Sequence, residues 1–493
     1  KPELPPVVDG RKHPVDRLID AHFKKQKLTH PKPLGDAAFM RRLSLDLLGL
    51  LPEPAEVEAF VNSKAPDKRE KLIATMLARN TDYAEHWLSF WNDLLRNDYK
   101  GTGYIDGGRS SITGWLYQSL LSNKPYDQFT RELIAPSNKD SSGFIDGIQW
   151  RGSVNASQTR EVQFSQSISQ TFLGLNMKCA SCHDSFVDRW KLDEAYGLAA
   201  IYSDKPIEIA RCDKPTGRMA KPAWIFPELG QVDADAPKPK RLEQLAGLMT
   251  HPENGRFSRT IANRLWQRMM GRGIVHPVDA MDTEPWNEDL LDHLAVRFVE
   301  DGYDIKKALT YIATSQIYQS ESVVIAKGED PAMFRGPLPK RMSAEQFVDA
   351  VWLITGSSPK QPHKMIPGDK RPQGSMVRAS LVPSDLLMRA LGRPNREQIV
   401  SMRPDNITTL EAIDLANGEA LAAFLKQGAQ RIATEAQGPE QFVDGVFMRA
   451  LSRKPSASER RELLTMLGGK LEPKAIEDVL WMVLLLPEFQ FVR

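Results

Sequence analysis

Apolar side chains recur every three to four residues through most of the chain, the spacing that lines up one face of an α-helix. Leu18, Ile19, His22 and Phe23 open the series, and Phe39, Leu43, Leu47 and Leu48 continue it. Gly49 to Pro54 interrupts the pattern and Glu56 to Phe60 resumes it, with Asp67 an expected N-cap for a helix over Lys71 to Leu77. Helices are then expected at Tyr83 to Arg96, Ile112 to Leu121, Tyr126 to Ile134, Gln163 to Met177 and Leu192 to Tyr202. Leu242 to Met249, Arg256 to Met270, Glu288 to Glu300, Ile305 to Ile317 and Ala344 to Ile354 follow. The last group is Ala412 to Gln427, Phe442 to Leu451, Ala457 to Leu467 and Ile476 to Leu486. Short β-like pieces are expected only around Ile225 and Ile274. The fold class is therefore mainly α.

The breaks divide the chain. Lys1 to Asp9 is a polar, proline-rich tail, and Asn138 to Ser157, rich in Gly, Ser, Asp and Asn, reads as a long loop. Gly230 to Arg241 is the clearest linker, which gives two helical domains, 1–230 and 242–493, joined by 231–241. A chain of 493 residues is long enough to bury a sizeable core in such an arrangement. Its 65 basic and 63 acidic residues nearly balance, which argues against nucleic acid as a partner. No apolar run approaches the ~20 residues that span a bilayer.

The chemistry concentrates in Cys179-Ala180-Ser181-Cys182-His183. Two cysteines three apart with a histidine next to the second form the attachment pattern for haem c: two thiols bond the porphyrin vinyl groups and the imidazole takes the iron. A thioredoxin-like redox pair would follow a strand, whereas this one follows an amphipathic helix. Half a zinc site would need a second pair of ligands, and no second cysteine pair exists. The third cysteine, Cys212, reads as a buried free thiol. Haem c is attached outside the cytoplasmic membrane and the chain begins at Lys1. An export signal removed ahead of it, and a periplasmic or otherwise exported location, are therefore expected.

Met40-Arg41-Arg42-Leu43-Ser44-Leu45-Asp46-Leu47-Leu48-Gly49-Leu50-Leu51-Pro52 resembles the opening signature of the secreted planctomycete-type cytochrome c domain family. Trp91-Asn92-Asp93 with Arg96, Lys124 to Phe129, and Phe172 to Leu175 fit the same domain. The second half is similar to its paired C-terminal partner domain at His251 to Asn254, Asn263 to Trp266, Met270 to Gly273, Arg341 to Glu345, Gly392 to Arg396, Ala450 to Arg453 and Pro487 to Phe489. The resemblance implies one covalent haem c and a role in breakdown of complex carbohydrates outside the cytoplasm. Three positions depart from the pattern. Ser185 and Phe90 stand where the family commonly has histidine, and Val400-Ser401-Met402 where it commonly has cysteines.

His183 is the expected proximal iron ligand, with Met219 or His86 as rival sixth ligands. Phe186 or Trp190 would pack on the porphyrin. The leading expectation is an exported mono-haem oxidoreductase or electron-transfer component in sugar processing, working with a redox partner protein. One rival is a haem enzyme with an open distal face, acting on a carbohydrate or peroxide through Asp93, Arg96 or Asp188. Another is a glycan-binding or glycan-cleaving protein in which haem is a structural staple.

Overall fold

The Asp36–Leu48 helix is the post around which the chain is arranged. Every residue from Phe39 to Leu48 is buried. Phe39, Leu43, Leu47 and Leu48 enter one large apolar cluster, while Leu45 enters a second. Two adjacent arginines splay the same way. Arg41 donates to the carbonyls of Ala450, Phe489 and Phe491, and Arg42 to those of Tyr318 and Ser320. Buried guanidinium groups need such acceptors, because an unpaired charge inside a protein is very costly. Gly49 ends the helix in a left-handed C-cap at φ +66°.

This architecture comes from a computed structural model that describes residues 1–97, 105–106, 112–147, 149–150, 152–363, 366, 371, 374–404 and 406–493. It is mainly helical, and no described helix is long and apolar enough to cross a membrane. Three two-stranded antiparallel ladders are the main β-structure among the described residues. The largest pairs Glu208–Arg211 with Lys214–Met219.

Several elements differ from the sequence pattern. The expected loop over 138–157 contains a helix, Lys139–Asp146, which Asn138 caps by accepting from the Asp140 amide. Ile148 and Arg151 of that stretch lie outside the described residues. The helix expected to reach Met177 spans Arg160–Leu173 and stops at Gly174, φ +62°, where an added Cβ would meet Met281 Cγ at 2.5 Å. The helix expected over 412–427 is two, Thr409–Asn417 and Glu419–Glu435, separated at Gly418. Neither Ile225 nor Ile274 lies in a strand.

The apolar clusters do not divide at 231–241. The first runs from Val15 to Leu381; the second joins Met342 to Val492 with Leu45 and Leu51. The Lys238–Met249 helix starts inside the linker stretch, with a proline in its first turn where a missing N–H costs nothing.

Candidate functional site

Past Gly174 the chain makes one helical turn that carries the three haem-motif side chains. Ser181 N donates to Met177 O at 2.9 Å, and both Cys182 N and His183 N to Cys179 O at 3.0 Å. Residues i, i+3 and i+4 of such a turn share a face, so Cys179, Cys182 and His183 point the same way. Met177 anchors the turn from below, fully buried, with Ser169 Oγ donating to its sulfur at 3.5 Å. Cys179 is exposed, and Cys182 and His183 are partly so. His183 Nδ1 lies 2.7 Å from the Asp184 carbonyl. A carbonyl only accepts, so Nδ1 carries the proton, which in the neutral ring leaves the lone pair on Nε2, the tautomer of a metal-ligating imidazole. Beside it Phe186 and Val187 are 83% and 82% exposed, and the Phe186 ring lies 4.5 Å from that of His183. Two accessible thiols, a free Nε2 and a bare apolar flank suit a covalently attached porphyrin.

The loop after the motif is held by the second half of the chain. Trp190 is buried, and its Nε1 donates to Asp282, which also pairs with Arg256 at 2.6 Å. Asp188 caps its own turn by accepting from the Trp190 amide at 3.1 Å. Cys212 is exposed, not buried, because it occupies the turn of the Glu208–Met219 hairpin. Cys212 and Asp213 both have positive φ, 46° and 66°, as a tight hairpin turn demands. Cys212 N donates to Cys182 O at 2.9 Å, and the two sulfurs are 3.5 Å apart. Burial, then this neighbouring thiol, push the Cys182 pKa up. Met219 stands at the far end of the hairpin, paired with Glu208 and 52% exposed, roughly 17 Å along the strand from the turn.

The remaining candidates lie elsewhere. Arg96 donates to Gln163 Oε1 at 2.9 Å and to the Glu397 carbonyl, in a shallow cleft that also contains Lys178. Asp93 and His86 line an interior cavity of about 330 Å³ whose walls come from both halves of the chain. The three residues proposed for acid–base work thus occupy three places.

Ion pairs ring the cavity. Asp93 accepts from Arg396 at 2.9 Å and Arg403 at 2.8 Å; Arg403 also pairs with Glu345 at 2.5 Å. Arg378 pairs with Asp349 at 2.7 Å, Arg371 with Glu85 at 3.2 Å, and Lys340 with Asp46. Burial raises the Glu85 pKa to about 7 despite the charges of Arg378 and Arg371, and lowers Lys340 to about 8. Although burial disfavours the Glu345 carboxylate, Arg403 and Arg393 outweigh it and hold its pKa below the usual range. His86 is 94% buried, and burial followed by the Arg268 charge pushes its pKa well down.

The sequence pattern offered Asp93 and His86 singly but not the cavity that joins them, whose charges stand as far apart in the chain as Asp46 and Arg403. Yet two of the three family departures meet here, since Phe90 and Val400-Ser401-Met402 all line it. Ser185, the third, sits on the motif loop with its amide bonded to Trp190 O. Among the described residues no group of three or more His, Cys, Asp or Glu is arranged to hold a metal ion.

Fold and site define a mainly helical protein with an exposed CxxCH turn and a charged cavity lined by both halves of the chain. Residues 14–206 match the PSCyt2 family model and residues 240–467 the PSD1 model, each described as a protein of unknown function (DUF1549 and DUF1553). The chain belongs to this paired family of planctomycete cytochrome c-type proteins. No curated protein and no solved structure matches it.

Proposed function

We propose that this is an exported mono-haem c protein, an oxidoreductase or electron-transfer component in sugar processing outside the cytoplasm. The observation that carries the reading is the single turn presenting Cys179, Cys182 and a His183 with Nε2 free. Haem bound there would supply one-electron chemistry at its iron. The chain's own part is to anchor the group through two thioethers and to hold the imidazole by the Nδ1–H bond to Asp184. Phe186 and Val187 add apolar surface for it to lie against. An accessible site at the surface suits exchange of electrons with a partner protein more than chemistry on an enclosed substrate. Of the two sixth-ligand candidates, His86 is committed to the interior cavity and Met219 to the outer end of a hairpin.

The test is an optical spectrum of protein expressed with the haem c maturation machinery, oxidised and reduced, with and without carbon monoxide. Covalently retained haem is expected. A low-spin spectrum indifferent to carbon monoxide supports electron relay; a high-spin spectrum that shifts with it replaces relay by an open-iron enzyme. Absence of haem after maturation removes the proposal.

A further inference from the structure

We infer that the interior cavity binds a small polyhydroxylated anion, a sugar bearing one carboxylate or sulfate, with Arg268 as its anion partner. This goes beyond the haem reading and stands on the cavity alone.

The argument begins with what the walls leave unpaired. The lining cations Lys340, Arg341, Arg378 and Arg403 each meet a carboxylate directly. Arg268 does not. It lies over the rings of Trp87 and Phe90, 5.9 and 5.7 Å from their centroids, with no hydrogen bond or ion pair to its guanidinium among the described residues. Burial, then the charge of Arg403, lower its pKa, against the opposing charges of Asp46, Asp93 and Glu345. Guanidinium offers a planar fork of donors matched to a carboxylate or sulfate.

Neutral groups point the same way. His86, Ser89 and Ser380 line the cavity, and their Nε2 and Oγ atoms are shut off from solvent and lack a hydrogen-bond partner among the described residues. Unpaired buried polar atoms occur elsewhere in the molecule too, so it is the gathering of three around one cavity that matters. Here they form a set that can donate to and accept from ligand hydroxyls. His86 is also immobile, since Gly49 packs so closely that a Cβ there would stand 2.2 Å from Nδ1. Phe90 and Met402 supply an apolar wall for the carbon face of a ring. About 330 Å³ lies at the lower end of small-molecule sites, which fits one sugar ring rather than a chain.

The experiment is calorimetric titration of the full chain with galacturonate, a sulfated galactose, galactose and inorganic sulfate. At least one acidic sugar should bind saturably and galactose about tenfold or more weaker, the usual weight of a charge-assisted contact. Whichever of the two acidic sugars binds identifies the anion. Arg268→Gln should weaken that sugar by about tenfold or more and leave galactose unchanged. Should Arg268→Gln fail to fold, Ser380→Ala carries the test with an expected loss of about threefold to tenfold. The inference is overturned if no sugar binds at about 10 mM, if galactose matches the acidic sugars, or if sulfate alone matches them. Haem retention is read by absorbance, so either proposal can fail while the other stands.

Discussion

Glu85 gives the interior cavity a signature that can be read without knowing any ligand. Its side chain is 2% exposed and its pKa is raised from 4.5 to about 7, mainly by burial. Between those two pH values the folded carboxyl keeps a proton that the unfolded chain releases. Stability from this group is complete below about pH 4.5 and is lost as pH rises through about 7. At about 1.4 kcal/mol per pH unit the loss totals about 3.5 kcal/mol. The unfolding entropy of a chain this size is about 1 kcal/mol/K, so the melting temperature should move by about 3.5 °C. Glu85→Gln keeps the shape and removes the titration. Melting curves of both proteins from pH 4.5 to 8 should show the variant gaining about 3.5 °C on the parent as pH rises, because groups common to both cancel. A difference that stays flat, or that grows toward acid, would falsify the assignment of a proton to Glu85.

Four further outcomes are expected. Cys182→Ala should lose covalent haem retention, seen as haem extracted by acidified solvent; full loading of that variant would sink the attachment. In haem-free protein recovered from an oxidising compartment, Cys182 and Cys212 should be joined in a disulfide, and non-reducing peptide mapping of the parent against Cys212→Ser checks it. Asp93→Ala leaves Arg396 and Arg403 facing each other without their shared carboxylate, and denaturant titration should show a loss of roughly 3–5 kcal/mol. Gly49→Ala combines a left-handed φ with the Cβ clash against His86, so it should cost about 2 kcal/mol or more by the same titration.

Much of the helical frame was legible in the sequence, because amphipathic periodicity is local. Leu192–Tyr202, Glu288–Glu300 and Ala457–Leu467 have the bounds their patterns predict. The Glu208–Met219 hairpin was not legible, because its second strand, Lys-Pro-Thr-Gly-Arg-Met, is exposed along its whole length and has no apolar alternation. Its docking alone brings Cys212 to the motif, and sequence separation hid that. The Lys139–Asp146 helix was masked by glycine and serine, although Asn138 was a readable cap. The cavity was least legible, since partners such as Asp93 and Arg396 pair only after folding. One local hint existed: Glu85, His86, Asn92 and Asp93 stand among the aromatic and aliphatic residues that the Asn80–Leu95 helix buries. Charge at core positions demands partners, and here the partners make the site.

The arrangement of Arg41 and Arg42 reaches beyond this single molecule. Because one short helix in the first half completes the interior of the second, and the second half supplies much of the first cluster, a gene broken at the 231–241 stretch would encode two products. Each would carry a half-built interior, with its apolar faces open to water. The two halves therefore cannot be shuffled as independent cassettes: they must be duplicated, transferred or lost together. Any rearrangement that parts them has to supply a new helix to fill the place of Asp36–Leu48.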